Sequence, residues 1–145
     1  MADDQKINLE LVKLNLSEVG ITENVTYCSD GNIAVDVAMG LFQKAMVENK
    51  TFPVKPIPLM LLDFQMPMKT GLQVIEHLRK FCEKNTSKII EPKFVIVTAF
   101  VTPVFKQHLA SKNIDCCLEK PIKPADLRKL LQSLNDKPGS LKYTA

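Results

Sequence analysis

Two short runs without a polar residue, Leu59-Met60-Leu61-Leu62 and Phe94-Val95-Ile96-Val97, constrain this chain more than any other feature. Each is too short for a helix, and neither alternates apolar with polar, so each reads as a strand covered on both faces. Such strands need helices above and below them, and the intervening segments supply these. Asn8 to Val19 sets Leu9, Val12, Leu16 and Val19 at helical spacing and stops at Gly20. Val25-Thr26-Tyr27-Cys28 is β-like and leads through Ser29-Asp30-Gly31-Asn32 into the apolar-rich run Ile33 to Val47, a strand, turn and helix. Residues 49–58 carry Pro53, Pro56 and Pro58 without periodicity and read as an inserted surface loop. Thr70-Gly71 opens a helix through Phe81 whose core face is Leu72, Val74, Ile75, Leu78 and Phe81. Thr102 to Ser111 reads as another helix, Cys116-Cys117-Leu118 as a short last strand, and Pro124 to Leu134 as a closing helix with proline in its first turn. Strands alternating with helices predict an α/β fold: a parallel sheet with helices on both faces. Residues 1–135 form one domain in this reading and residues 136–145 a tail.

Composition narrows the function classes. A chain of 145 residues, 46% hydrophobic and 24% charged, is enough for one domain with a real core. No apolar run approaches the roughly 18 residues of a membrane span. The start, Met1-Ala2-Asp3-Asp4-Gln5, is acidic where a secretory signal would be basic and then apolar, which leads us to expect a cytoplasmic protein. Cys28, Cys82, Cys116 and Cys117 have no paired C-x-x-C spacing, so a zinc site is not expected and reduced, buried thiols are. A formal charge of +3 with lysines spread along the chain argues against a nucleic-acid footprint.

The polar residues that matter fall at the strand ends. In an open parallel sheet ligands bind outside the carboxyl ends of the strands. Asp63, Thr98 and Lys120 each follow a different apolar strand, and Asp3-Asp4 immediately precede the first helix. Three carboxylates brought together repel one another, and a hard divalent cation with oxygen ligands, Mg²⁺ or Mn²⁺, is the usual way to neutralise them. One carboxylate could attack phosphorus while a metal, an ammonium and a hydroxyl hold the developing charge, so the set suits phosphoryl transfer.

Asp3-Asp4, Asp63 with Met66-Pro67 and Gly71 after it, Thr98-Ala99 and Lys120-Pro121 resemble the signature of response-regulator receiver domains, in order and over nearly the whole chain. The resemblance implies a flavodoxin-like, doubly wound five-stranded parallel sheet of order 2-1-3-4-5. It implies that Asp63 is the phosphoacceptor, that Asp4, Asp63 and the backbone carbonyl of Gln65 bind the metal directly, and that Asp3 assists through water. Thr98, Ala99 and Lys120 would hold the phosphoryl group, with Phe100, Cys117 and Pro121 modulating the site and the Lys120-Pro121 bond cis. The implied partner is a histidine kinase or histidine phosphotransfer protein, with a homodimer left open. The implied role is a switch rather than an enzyme. The segment Asp3-Asp4-Gln5-Lys6-Ile7-Asn8 further resembles receivers fused to hybrid histidine kinases.

Three departures stand beside that resemblance. Only Met1-Ala2 precede the acidic pair, so the first strand, which lies between the second and third in this fold, is almost absent. An internal strand cannot readily be lost, so either upstream residues of a longer parent or another segment, such as Leu141 to Ala145, is expected to fill its place. Cys117 stands where an aromatic residue commonly rotates on activation, three positions before the lysine, and the insertion 49–58 has no family role. A haloacid-dehalogenase-like phosphatase would need a second Asp where Gln65 stands. A flavodoxin-like cofactor carrier would need a phosphate loop that five glycines do not provide. A receiver-like interaction module that is never phosphorylated remains the alternative.

Overall fold

The computed structural model of the chain describes residues 1–114 and 116–135. The tail with Leu141, Tyr143 and Ala145, a candidate filler for the first strand, lies outside the described residues. Eight elements follow one another: α1 (Lys6–Glu18), α2 (Gly31–Glu48), β1 (Leu59–Asp63), α3 (Gly71–Lys84), β2 (Lys93–Thr98), α4 (Pro103–Ser111), β3 (Cys117–Glu119) and α5 (Pro124–Asn135).

The two apolar runs are the centre of a parallel sheet ordered β1-β2-β3, with Leu61 opposite Val95 and Ile96 opposite Cys117. Their side chains alternate between two cores. Leu62, Phe94 and Ile96 meet Val74, Ile75 and Leu78 of α3 and Phe42 of α2, while Leu61, Val95 and Val97 meet Val12 and Leu16 of α1 and Leu127 and Leu130 of α5. This two-sided burial is why the runs contain no polar residue; each such side chain contributes about 1.5–3 kcal/mol on leaving water. The helix starts are fixed locally. Asp30 accepts from the Ile33 N–H, Thr102 accepts from the Phe105 N–H with Pro103 in the first turn, and Thr70 and Gln73 form a reciprocal capping box.

Three full strands make up the sheet, and the first-strand line, expected to be largely missing, is present beside β1 as single-residue bridges. Ala2 bridges Cys28 on one side and Leu62 on the other, both parallel, so the lateral order is Cys28, Ala2, β1, β2, β3. Met1 to Asp3 therefore do occupy the first-strand line, but over a single pleat. The expected strand Val25–Cys28 is reduced to one bridge at Cys28, whose N–H donates to Met1 C=O at 2.8 Å and whose C=O accepts from the Asp3 N–H, while the Thr26 C=O accepts from the Met1 ammonium at 2.7 Å. Beneath Ala2 an apolar cleft of about 330 Å³ opens between β1 and the 25–28 segment. The inserted loop is also less irregular than expected. Val54 bridges Ile89, its N–H donating to Lys88 O and its C=O accepting from Ile90 N–H, both at 2.8 Å, and the Phe52-Pro53 bond is cis.

Candidate functional site

The carboxyl ends of β1, β2 and β3 bring the polar residues together. Asp63 closes β1 with its side chain nearly buried, and Gly71 makes that placement possible: a Cβ at residue 71 would lie 2.6 Å from the Asp63 carbonyl oxygen and 2.9 Å from Ile96 Cδ1. Only glycine lets the start of α3 approach the strand end so closely. Asp3 is held one strand-width away by backbone bonds from its N–H to Cys28 O (3.0 Å) and from Asp63 N–H to Ala2 O (2.9 Å).

Lys120 ties the two carboxylates. Its Nζ lies 2.8 Å from Asp3 Oδ2 and 3.1 Å from Asp63 Oδ1. Its backbone N–H donates to Thr98 O at 2.8 Å, so the ends of β2 and β3 are linked through the same residue. The Lys120-Pro121 bond is cis, as expected. Burial alone would push the Lys120 ammonium down, but hydrogen bonds to Asp3 and Asp63 and their charges outweigh it and raise its pKa. Asp63 is raised as well, first because burial penalises its charge and then because Asp3 repels it, against the opposing pull of Lys120 and the Gln65 N–H.

The three acidic residues divide the available bonding. Asp3 is fully buried and already accepts from the Gln5 N–H (2.9 Å), from Asn8 Nδ2 (3.2 and 3.1 Å) and from Lys120. Asp4 is exposed, and one oxygen from each of Asp3, Asp4 and Asp63 falls within 4.8 Å of the others. A set made only of carboxylate oxygens, two of them not saturated by protein donors, fits a hard divalent cation that keeps several waters.

The remaining expected residues lie around this centre. Gln65 is exposed, and its N–H donates to Asp63 Oδ1 at 3.4 Å. Thr98 ends β2 half-buried, with Ala99 and Phe100 exposed beyond it. Phe100 is 79% exposed, so its ring is not packed over the carboxylate. Cys117 is buried in the core shared by α2 and α3, where burial raises its thiol pKa, and offers no ring to rotate. Two features escaped sequence reasoning. Asn8 fixes Asp3, a role foreshadowed only by its place in the run that follows the acidic pair. Phe64, directly after Asp63, packs edge-on against Phe105 of α4 at 5.0 Å between ring centroids.

Comparison with known proteins agrees with this geometry. Residues 1–132 match the response regulator receiver domain family. The chain is 28% identical over 138 residues to the signal transduction histidine-protein kinase BarA of Escherichia coli K12, a match that takes in 95% of this chain; the chain spans only 12% of the length of that relative. Among solved structures, the receiver domain of the histidine kinase CKI1 from Arabidopsis thaliana, complexed with Mg²⁺, matches with a TM-score of 0.76 at 17% identity, covering 92% of this chain and 88% of that one. The CheX-CheY-BeF₃-Mg²⁺ complex from Borrelia burgdorferi matches with a TM-score of 0.71 at 15% identity, covering 94% and 87%. At these identities the structural likeness is one of fold.

Proposed function

Because the chain belongs to the response regulator receiver domain family, we propose that it works as a phosphoacceptor switch: Asp63 takes a phosphoryl group from a phosphohistidine on a histidine kinase or phosphotransfer protein, and the altered surface then changes partner binding. The observation that carries this reading is the Asp3-Lys120-Asp63 arrangement beside exposed Asp4, at the one sheet edge where strand ends converge. A carboxylate oxygen of Asp63 attacks phosphorus as the phosphorus–nitrogen bond of the donor breaks, and the imidazole leaves. Lys120 supplies fixed positive charge to the phosphoryl oxygens, and Thr98 and the Ala99 N–H supply donors from the end of β2. Asp4, Asp63 and the Gln65 carbonyl would hold Mg²⁺ or Mn²⁺, with Asp3 in support. When bound, this cation neutralises the cluster and polarises the phosphoryl oxygens. The chain itself is a switch, with the kinase activity belonging to its partner or to a longer parent of the hybrid type.

The second reading, an interaction module that is never phosphorylated, draws on buried Cys117 in place of a mobile aromatic. Incubation with Mg²⁺ and beryllofluoride or a small acyl phosphate separates the two. A phosphoacceptor gives Mg²⁺-dependent chemical-shift changes at Asp63, Thr98 and Lys120 that vanish in Asp63→Asn. No response in the wild type favours the module.

A further inference from the structure

Phe64 stands between the acceptor carboxylate and the next residue of its loop, and the Gln65 N–H reaches back over it to Asp63 Oδ1 at 3.4 Å. Its own backbone is tied on both sides. The Phe64 N–H donates to Val97 C=O at 2.8 Å, which carries the β1–β2 ladder one residue past Asp63, and its C=O accepts from the Gly71 N–H at 3.2 Å, where α3 begins. Its half-buried ring packs edge-on against Phe105, with 5.0 Å between centroids and 80° between planes, so the electron-poor edge of one ring meets the face of the other. The helix that carries Phe105 is held differently at its two ends. At the C-terminal end of α4, the Arg79 guanidinium from α3 donates to both Lys112 O and Asn113 O, and Glu76 pairs with Lys112 at 3.2 Å. At the N-terminal end Thr102 caps the Phe105 N–H within its own turn, and the Val101 N–H reaches Glu119 Oε1 only at 3.5 Å. Phe100 and Val104 there are 79% and 75% exposed. On β3, buried Cys117 offers no ring that could carry movement from the site to this helix.

We propose that Phe64 is the positioning residue through which the state of the Asp63 centre reaches α4: its ring sets the place of Phe105, and with it the first turn of that helix, differently when Asp63 is free and when it carries a phosphoryl group. This rests on the reading of Asp63 as phosphoacceptor and goes beyond it by assigning the element that reports the change. A phosphoryl group on Asp63 acts on the residue before Phe64, and a cation at the Gln65 carbonyl acts on the residue after it, so adjustment on either side passes through the Phe64 backbone. The ring transmits it because half-buried, close-packed side chains have no free space in which to absorb a shift. The clamp from Arg79 and Glu76 makes the C-terminal end of α4 the fixed point, and the movement falls on Phe100 to Phe105. The exposed side chains of Phe100 and Val104 are then the surface that differs between the two states. Coupling of this kind is reciprocal, so breaking the ring contact alters the ligand affinity of the site as well as the response of the helix.

The test titrates the full chain with Mg²⁺ and beryllofluoride and follows backbone amides by NMR in the wild type, Phe64→Leu, Phe105→Leu and Phe64→Trp. Each leucine variant removes one ring while keeping the position apolar, so the fold is retained, and the tryptophan variant keeps a ring at the contact. In the wild type, shifts are expected both at Asp63, Thr98 and Lys120 and at Val104, Phe105 and Lys106. The two leucine variants should keep the first set and lose the second, with the affinity for beryllofluoride changed by about five-fold or more. Phe64→Trp should retain both sets. A response at Val104 to Lys106 that survives in either leucine variant overturns the proposal, and so does a wild type in which Asp63, Thr98 and Lys120 respond while α4 does not. A wild type with no response at Asp63 or Lys120 overturns the phosphoacceptor reading itself, and this relay with it.

Discussion

Asp63 carries its charge where burial opposes it, and Asp3, fully buried one strand away, adds repulsion that Lys120 only partly relieves. A folded-state pKa raised above the unfolded value of about 3.9 means that the ionised group costs stability at neutral pH and that the cost disappears below that value. Asp63→Asn is therefore expected to raise the metal-free Tm at pH 7 by a few degrees, since about 1 kcal/mol moves Tm by roughly 2–4 °C in a domain of this size. The gain should shrink to nothing as pH falls towards 4. Thermal melts across that range check the sign, and a lower Tm for the variant at pH 7 would mean that the ion pair with Lys120 outweighs the burial of the charge. Two neighbours bear on how long an acyl phosphate on Asp63 would last. Phe100 is bulky and cannot orient water, whereas exposed Gln65 could hold one; closure of the Phe100 side chain over a phosphorylated site would screen it, although the ring is 79% exposed in this structure. Phe100→Ala is expected to hydrolyse several-fold faster than wild type and Gln65→Ala to change little. An unchanged or slower rate in Phe100→Ala would remove the shielding argument.

At the scale of elements, the approach of α3 to β1 is the contact on which the acceptor's position depends. Gly71→Ala puts a methyl 2.6 Å from the Asp63 carbonyl, and backbone cannot give way as a flexible side chain would. Overpacking of this kind costs roughly 1–3 kcal/mol, to be read as a lower denaturation midpoint at unchanged m-value. A neutral result would show that the first turn of α3 yields. Which elements the sequence disclosed follows from how they are buried. β1 and β2 were legible because burial on both faces forbids polar residues over their whole length, and Asp63, Thr98 and Lys120 were legible because each interrupts or follows such a run. The capped helices declared their starts through Asp30, Thr70 and Thr102. Single-residue pairing left no such trace. Ala2 and Cys28, or Val54 and Ile89, are held by backbone bonds that any side chain permits, so periodicity cannot report them. The same holds for Asn8 on Asp3 and for Phe64 against Phe105, both of which are meetings between residues whose own local pattern is already accounted for by a helix or a turn.

For the molecule as a whole, the acidic edge and the fold are linked through whatever neutralises the charge. Among the described residues no helix is long and apolar enough to cross a membrane, and stability rests on the two cores and on the cost of gathering three carboxylates at one sheet edge. A cation that binds the folded state and not the unfolded chain stabilises it by RT ln(1 + [L]/Kd), about 2.7 kcal/mol at 100 times Kd. With Mg²⁺ in that excess, Tm should rise by roughly 5–10 °C. Asp4 isolates this effect, because it is exposed and belongs to the acidic cluster without supporting the fold. Asp4→Ala should leave the metal-free Tm nearly unchanged, within the roughly 0.5 kcal/mol typical of surface substitutions, and should abolish most of the rise with Mg²⁺. Lowering the pH into the carboxylate range should remove the rise in the wild type too, since protonated carboxyls are poor ligands and protons then compete with the cation. Asp63→Asn gives the complementary pattern: a higher metal-free Tm, with little further gain from Mg²⁺. An equal rise with Mg²⁺ in wild type and Asp4→Ala would place the cation elsewhere on the molecule and would separate the acidic edge from metal binding.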